Sequence, residues 1–258
     1  MYLTAQHLAL ANQAVLETFE NCSVAWQAIP HWDTGDPAQT QVREDNVSPP
    51  AAIMNIKPLK EDIDVTLALA LSADPAPLIN VVNAATVTLT AAFDAAVVTA
   101  LHTSNASKQS LPFAGANQVL PSLIKTRAVL ENKGFRSPTC LIANDDAFLE
   151  MNKLTGGVSS LQAILTGANV NSLHRVDQIE APPAGKARVL LLGRRQLIPH
   201  GGAAEASAGE EPVDLAVSVA PSLEVVGENG TNEIRLAVRI AYALRMKDPN
   251  GVATVTAS

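Results

Sequence analysis

Residues 120–154 carry the signals of a helix, a buried strand and a second helix in immediate succession. Pro121 falls where a first-turn proline is tolerated, and Gly134 is placed to end the first helix in a left-handed conformation. Pro138 favours an extended backbone, and the apolar residues 139–143 predict a strand that is covered on both faces. We therefore expect this unit to be the centre of a compact subdomain around which the rest of the chain is arranged.

The second helix of this unit is predicted to begin at Asn144, which is a favoured N-cap residue. Asp145 and Asp146 follow in the first turn, where the helix dipole stabilises negative charge. Two adjacent carboxylates can also form an acid–base pair. At a helix N-terminus we interpret them as compensating the dipole, so the unit indicates a structural role and not a catalytic one.

Composition excludes several classes of protein. A chain of 258 residues with 47% hydrophobic residues can bury a sizeable core. The net charge is -7 and no basic run exceeds Arg194-Arg195, which argues against nucleic-acid binding by a basic face. Cys22 and Cys140 are too few for a disulfide framework and indicate a reducing, intracellular origin. The N-terminus lacks the basic region of a signal peptide, so we expect a soluble protein.

The N-terminal part predicts a helix capped by Thr4, a short strand at residues 23–29 and then an extended arm at residues 30–50. Proline and glycine interrupt every regular pattern in the arm. Unstructured segments longer than roughly 12 to 15 residues usually serve binding or are disordered. Because the arm contains Trp32 and Val42, we expect it to pack onto something, with a neighbouring copy of the chain as the candidate.

The clearest alternation of apolar and small or polar residues lies in residues 63–71, which read I-D-V-T-L-A-L-A-L. This pattern predicts a half-buried strand. Apolar residues at 53–56 precede a charged segment at 57–62, so we predict a long hairpin that projects beyond its own core. A long helix from Pro75 to about His102 follows.

The C-terminal part predicts long antiparallel strands. Asn229-Gly230 is a strong hairpin signal between apolar stretches at 213–226 and 233–247. The glycine-rich residues 194–211 before them predict a surface excursion. A final strand at 252–255 is expected after a turn that begins at Asp248.

The order of these elements resembles that of the major capsid proteins of tailed phages and the related encapsulin shells. Three segments carry the resemblance: KGFRSPTCLIANDDAFLEMNKL, VDLAVSVAPSLEVVGENGTNEIRLAVRIAYALRMKDPNGVATV and NIKPLKEDIDVTLALALS. Together with the order of the elements they cover most of the chain.

The resemblance implies an α+β fold of the Hong Kong 97-like capsid type. Its parts would be an N-terminal helix and arm (1–50), an extended loop (51–72), a peripheral domain with a spine helix (73–117 and 237–258) and an axial domain (118–236). The extended loop would cover a neighbouring subunit through Ile53, Met54, Ile56, Lys57, Lys60, Ile63, Val65, Leu67 and Leu69. The arm contacts would be Trp32 and Val42, and the axial pore loop would hold Pro182, Pro183 and Lys186.

The implied function is that of a structural shell protein that self-assembles, as pentamers and hexamers, into an icosahedral capsid. Our first interpretation is the major capsid protein of a tailed bacteriophage that encloses double-stranded DNA. The resemblance implies further partners, namely portal, scaffold or decoration proteins and non-specific contact with packaged DNA, and no membrane. The implied location is the virion capsid, assembled in the cytoplasm of a bacterial host.

An encapsulin shell that encloses cargo enzymes in the bacterial cytoplasm is the alternative. The size of the chain and the lack of a long N-terminal scaffolding segment favour it. Against it, AAFDAAVVTALHTS replaces the acidic-aromatic-glycine signature that closes the encapsulin spine helix. Arg239 stands where encapsulins usually have an acidic residue, and residues 194–211 are an insertion.

Catalytic interpretations are weaker. The five histidines are scattered without metal-ligand spacing, and the glycine pairs lack a phosphate-loop lysine. Cys140 lies in a predicted buried strand, where a thiol is expected to be inert. We therefore predict a non-enzymatic protein with no catalytic, cofactor or metal-binding residues. An α/β enzyme of unknown substrate and another virion component, such as a tail protein, are the remaining alternatives.

Overall fold

The computed structural model describes residues 3–44, 52–177, 179, 186–194, 211–230 and 232–258. The helices are α1 (Ala5–Cys22), α2 (Val24–Ala28), α3 (Leu67–Ala70), α4 (Ala76–Ser104), α5 (Ala116–Asn132), α6 (Asp145–Asn152) and α7 (Leu161–Ala168). The strands are β1 (His31–Asp33), β2 (Gln41–Arg43), β3 (Ile53–Asn55), β4 (Lys57–Thr66), β5 (Ser107–Leu111), β6 (Arg136–Ala143), β7 (Leu154–Thr155), β8 (Val158–Ser159), β9 (Ser172–Arg175), β10 (Arg188–Arg194), β11 (Val213–Glu228), β12 (Glu233–Met246) and β13 (Val252–Ala257).

Two sheets organise the described part of the chain. A four-stranded sheet has the order β1-β11-β12-β4, and a five-stranded sheet has the order β5-β13-β10-β6-β9. The predicted hairpin at Asn229-Gly230 is confirmed, because β11 and β12 pair antiparallel on either side of it. A short 3-10 helix, Pro249–Gly251, then leads into β13, which crosses to the five-stranded sheet.

One face of the four-stranded sheet packs against α1 and α4 and forms the larger hydrophobic core. Alternate residues of β12 point into this core, namely Ile234, Leu236, Val238, Ile240 and Tyr242. Phe19 of α1, Phe93 of α4 and Tyr242 of β12 bring the three elements together, with ring centroids 5.2 and 4.6 Å apart along the series. The period of two that the sequence shows in β12 therefore reflects one face buried in this core.

The five-stranded sheet lies between two cores. Leu141, Val189 and Leu191 face a second core that is closed by α5, α6 and α7. Their neighbours Ile142 and Leu190 face the larger core. Residues 139–143 of β6 are all buried, so the predicted strand covered on both faces is confirmed, and all seven residues of the neighbouring β10 are buried as well. The division of the chain into axial and peripheral domains at the predicted bounds stays a prediction.

The long helix is confirmed as α4, within two residues of the predicted end. Thr86 and Thr90 are buried in its middle, and their hydroxyls donate to the carbonyl oxygens of Val82 and Thr86 at 2.8 and 2.7 Å. These bonds satisfy polar groups that burial would otherwise leave unpaired. By length and composition α4 could span a membrane, but ten of its residues are buried within this fold.

Three predicted elements were wrong. In the predicted strand at residues 23–29, Val24–Ala28 form the helix α2 instead, because the Ser23 hydroxyl oxygen accepts from the Trp26 amide as an N-cap. Residues 67–70 form the short helix α3, which Thr66 caps in the same way. The helix α5 begins at Ala116, so Pro121 lies inside it instead of in its first turn. Sequences such as L-A-L-A fit a strand and a helix equally, and the capping hydroxyls decide here.

The predicted hairpin of residues 53–71 was also wrong in its pairing. β3 pairs with β2, with Val42 opposite Met54, and not with β4. β4 pairs with β12 along its whole length, from Thr66 opposite Glu233 to Lys57 opposite Tyr242. The segment that carries the alternation is thus part of the chain's own sheet, and the hairpin lies upstream of it.

Candidate assembly surfaces

The β2–β3 hairpin is separate from both large sheets. Its two strands form a two-stranded sheet of their own, closed by a bond from the Glu44 amide to the Ala52 carbonyl at 2.8 Å. At the other end, the Ile56 amide donates to the Thr40 carbonyl at 2.9 Å. Ile53 is 71% exposed although it is a large hydrophobic residue. Such a residue on a short isolated hairpin is a candidate for burial by another molecule.

The base of the hairpin packs on the second face of the four-stranded sheet. Val42 and Ile56 are buried there against Ala216 and Ala243 in a small third cluster. Trp32 joins this cluster from β1, which pairs in parallel with β11. The structure therefore shows the predicted arm residues Trp32 and Val42 in contact with their own chain. Contact with a neighbouring copy stays a prediction.

A buried group of charged side chains lies beside this cluster. The Arg245 guanidinium binds both carboxylate oxygens of Asp214 at 2.6 Å, and the two side chains are 8% and 1% exposed. Lys247 Nζ lies 3.0 Å from Asp214 Oδ2 and 3.2 Å from Glu211 Oε2. Two cations thus face two carboxylates in the interior, so each charge has an opposite partner.

Arg245 also contacts the hairpin. Its Nη1 donates to the Arg43 carbonyl at 3.0 Å, and its guanidinium lies 4.7 Å from the centre of the Trp32 ring. The Met246 amide donates to Glu44 Oε1 at 3.3 Å. Polar bonds therefore join the end of β12 to the loop end of the hairpin, where Arg43 lies opposite Ile53, in addition to the apolar packing of its base.

The remaining predicted residues of the extended loop lie in β4 and α3. Lys57 and Lys60 are exposed, and Lys60 pairs with the exposed Asp62 at 2.9 Å. Ile63, Val65, Leu67 and Leu69 face the larger core of their own chain. Within the described residues, nothing pairs with the outer edge of β4. Contact of these residues with another subunit stays a prediction.

Pro182 and Pro183 of the predicted pore loop lie outside the described residues. Lys186 is described, and its carbonyl accepts from Asn144 Nδ2 at 2.9 Å. Asn144 Oδ1 accepts from the Arg188 amide at 2.8 Å, so the N-cap of α6 also fixes the chain where it enters β10. A pore function of this loop stays a prediction.

Asp94 in α4 joins the long helix to the N-terminal helices. Its Oδ1 accepts from the Ser23 hydroxyl at 2.7 Å and from the Ala25 amide at 2.9 Å, and its Oδ2 accepts from the Val24 amide at 2.8 Å. Burial raises the pKa of this carboxyl above the usual aspartate value, while these hydrogen bonds lower it. Asp94 is therefore a structural anchor at the junction of α1 and α2.

Sequence reasoning missed Asp94 and the Asp214–Arg245 pair as structural centres. The available signal was a single charge inside an apolar run, as in A-A-F-D-A-A and V-D-L-A-V. A charged residue in a buried element is costly unless it is paired, so it implies an opposite charge or hydrogen-bond donors nearby. The sequence pattern does not name the partner, which lies 31 residues away in the case of Asp214.

The chemistry of the described residues is limited. Burial raises the pKa of the Cys140 thiol, which disfavours the reactive thiolate. Burial also lowers the pKa of His31, His102 and His174. Among the residues that the structure describes, no three His, Cys, Asp or Glu side chains are grouped so that they could hold a metal ion.

Comparison with solved structures gives the fold. The chain is similar to the virus-like particle from Pyrococcus furiosus, with a TM-score of 0.70 and 16% identity over 97% of this chain and 100% of that chain. It is similar to the holo-SrpI encapsulin complex from Synechococcus elongatus (TM-score 0.56, 12% identity, 88% and 84% covered). It is also similar to the capsid of Myoviridae phage XM1 (TM-score 0.54, 9% identity, 92% and 92% covered).

No protein-family model matches the sequence, and no curated protein sequence matches it. At identities this low the structural likeness establishes the fold alone. The chain has the Hong Kong 97-like capsid fold that phage capsid proteins and encapsulins share, which confirms the predicted α+β class. The solved neighbours are described as a virus-like particle, an encapsulin complex and a phage capsid.

Proposed function

We propose that this chain is the subunit of a closed protein shell, formed by many copies of itself. The observation that carries the proposal is the β2–β3 hairpin with its exposed Ile53, on a fold whose solved examples include a virus-like particle and a phage capsid. The chain's own sheet covers Val42 and Ile56 of this hairpin, whereas the exposed Ile53 is apolar surface that another molecule can cover. Repetition of that contact by symmetry gives a stable particle without a strong single interface.

Within this proposal we favour the major capsid protein of a tailed phage, which would enclose double-stranded DNA and meet portal, scaffold or decoration proteins. Arg239 and the absence of the encapsulin spine signature support it. In the structure Arg239 forms an exposed pair with Glu224 at 2.8 Å. An acidic subunit with net charge -7 suits a container that holds DNA without binding it tightly.

An encapsulin-type shell with cargo enzymes is the second candidate. The structure matches the holo-SrpI encapsulin complex with a TM-score of 0.56, which is as high as the 0.54 of the match to the phage XM1 capsid. The contents of particles purified from their natural source separate the two candidates. DNA with portal and terminase genes nearby indicates a phage, and a co-purified enzyme encoded by a neighbouring gene indicates an encapsulin.

Size-exclusion chromatography and negative-stain microscopy of the purified chain test the shell itself. We expect hollow particles of megadalton mass, and a uniform small oligomer would contradict the proposal.

Ile53→Asp should abolish particles while leaving the circular dichroism of the subunit unchanged, because a charge at this position cannot be buried against a neighbour. Val226→Asp, at a side chain that is 53% exposed outside the hairpin, is the matched control and should still assemble.

A further inference from the structure

The direction of the β2–β3 hairpin is not set by a continuous sheet. Its strands belong to a two-stranded sheet and share no ladder with the four-stranded sheet on which its base rests. The apolar contacts of Val42 and Ile56 hold the base in place. Apolar contacts are non-directional, so they allow the hairpin to pivot on this patch.

Directional bonds come from the end of β12. The guanidinium of Arg245 is fixed in its plane by two bonds to Asp214 at 2.6 Å. From that fixed plane it donates to the Arg43 carbonyl at 3.0 Å and lies over the Trp32 ring. A planar guanidinium that a carboxylate already binds through two bonds presents its remaining N–H donors at a defined angle. The Met246–Glu44 bond adds a second link at 3.3 Å.

We infer that Arg245 sets the direction in which the β2–β3 hairpin leaves the four-stranded sheet. Arg245 is thus a positioning residue: from within its own subunit it contacts Arg43, the residue opposite Ile53 in the hairpin, and so determines where the exposed Ile53 meets a neighbour. A consequence for particles rests on the proposed shell function, because the angle between the hairpin and the four-stranded sheet affects the particle diameter only when subunits assemble. The angle itself is a property of the single chain and can be measured without assembly.

Distance measurement between two spin labels tests the inference. The labels are placed by Ile53→Cys on the hairpin and Val226→Cys on β11, in a Cys22→Ser background, since Cys140 is buried. The labelled chain is diluted into unlabelled chain so that only distances within one subunit are recorded. We expect one narrow distribution in this parent protein and a broadened or shifted distribution after Arg245→Lys.

Arg235→Lys is the matched control. Arg235 lies on the same strand, and within the described residues its side chain binds Asp64 of β4 through two nitrogens at 2.9 and 3.1 Å instead of the hairpin. Its substitution should leave the narrow distribution unchanged. A distribution that stays narrow after Arg245→Lys in a cooperatively folded protein overturns the inference.

A second variant covers the case in which Arg245→Lys prevents folding. Arg245→Met with Asp214→Leu removes both charges of the pair, so neither is left buried alone, and Lys247 keeps Glu211. This double variant should fold and show the broad distribution, and a narrow one overturns the inference. In microscopy both Arg245 variants should lose the uniform diameter of the parent particles. If the parent forms no particles, the shell proposal fails while the label distances still decide the role of Arg245.

Discussion

Asp94 shows how one buried carboxyl can join three helices. Burial raises its pKa in the folded chain above the value of an unfolded aspartate. Folding therefore takes up a proton, so the stabilising contribution of this group is present at low pH and is lost as the pH rises through the folded pKa. The bonds from Ser23, Val24 and Ala25 favour the charged form and oppose this rise in the pKa.

The Asp94→Asn variant tests this sign. The variant lacks the titrating group, while every other carboxyl is the same in both proteins. The free energy of unfolding of the native chain minus that of the variant should therefore fall as the pH is raised from about 3 to about 7. Urea unfolding of dissociated subunits measures the difference. A difference that is constant or rises with pH would show that the pKa of Asp94 is not raised.

Gly251 is a residue where the structure leaves no space for a side chain. A Cβ at this position would collide with Pro212 Cβ and lie 2.9 Å from Phe135 Cδ1. We expect Gly251→Ala to lower the free energy of unfolding by about 1–3 kcal/mol, since overpacking forces neighbouring backbone to move. Gly167→Ala is the control, because its Cβ would meet the flexible end of Leu120 at 3.0 Å. Equal losses in the two variants would contradict this explanation.

At the scale of elements, the sequence predicted the long helix, the helix–strand–helix unit and the β11–β12 hairpin. Each is defined by signals within a short stretch, such as the Asn144 cap or Asn229-Gly230. Pairing between distant strands has no such signal. Both β2 and β12 are compatible with residues 53–66 by alternation alone, and the choice depends on which face the third cluster and the larger core can bury.

At the scale of elements, the position of Pro121 inside α5 differs from the prediction. Pro121 occupies the sixth position of α5, where it has no amide to donate to the carbonyl four residues earlier. Pro121→Ala restores that bond at an exposed position, so it should raise the free energy of unfolding by up to about 3 kcal/mol. Thermal unfolding of the subunit measures the gain. A lower stability in the variant would mean that the proline shape is itself required by the packing of α5.

For the whole molecule, the sequence supported the class of fold, and its order of elements agrees with the capsid-like structure. The sequence could not predict the candidate assembly surface, that is, the contacts between the β2–β3 hairpin and the four-stranded sheet. Trp32 and Val42 lie in an arm without periodicity, so nothing local shows that both pack against Ala216 and Ala243 of their own sheet. The sequence likewise does not show the role of Arg245, because its partners Asp214 in β11 and Arg43 in β2 are distant along the chain.

In the proposed shell, a net charge of -7 on every copy makes assembly sensitive to ionic strength. Raising the salt concentration from about 0.01 M to about 0.1 M shortens the screening length from about 30 Å to about 10 Å, which weakens repulsion between subunits. Dissociated subunits should therefore reassemble faster at the higher concentration, as followed by light scattering. Slower reassembly would indicate that ion pairs between subunits, and not apolar contacts, drive association.

Strand β10 supplies both cores at once, with every one of its residues buried. In a strand with one face exposed to solvent, substitutions are tolerated on that face while the buried face stays apolar. Both faces of β10 are buried, so neither face tolerates polar substitutions. When sequences of close relatives are aligned, the columns for residues 189–192 should admit aliphatic residues alone, whereas those of β4 should admit polar residues at every second position.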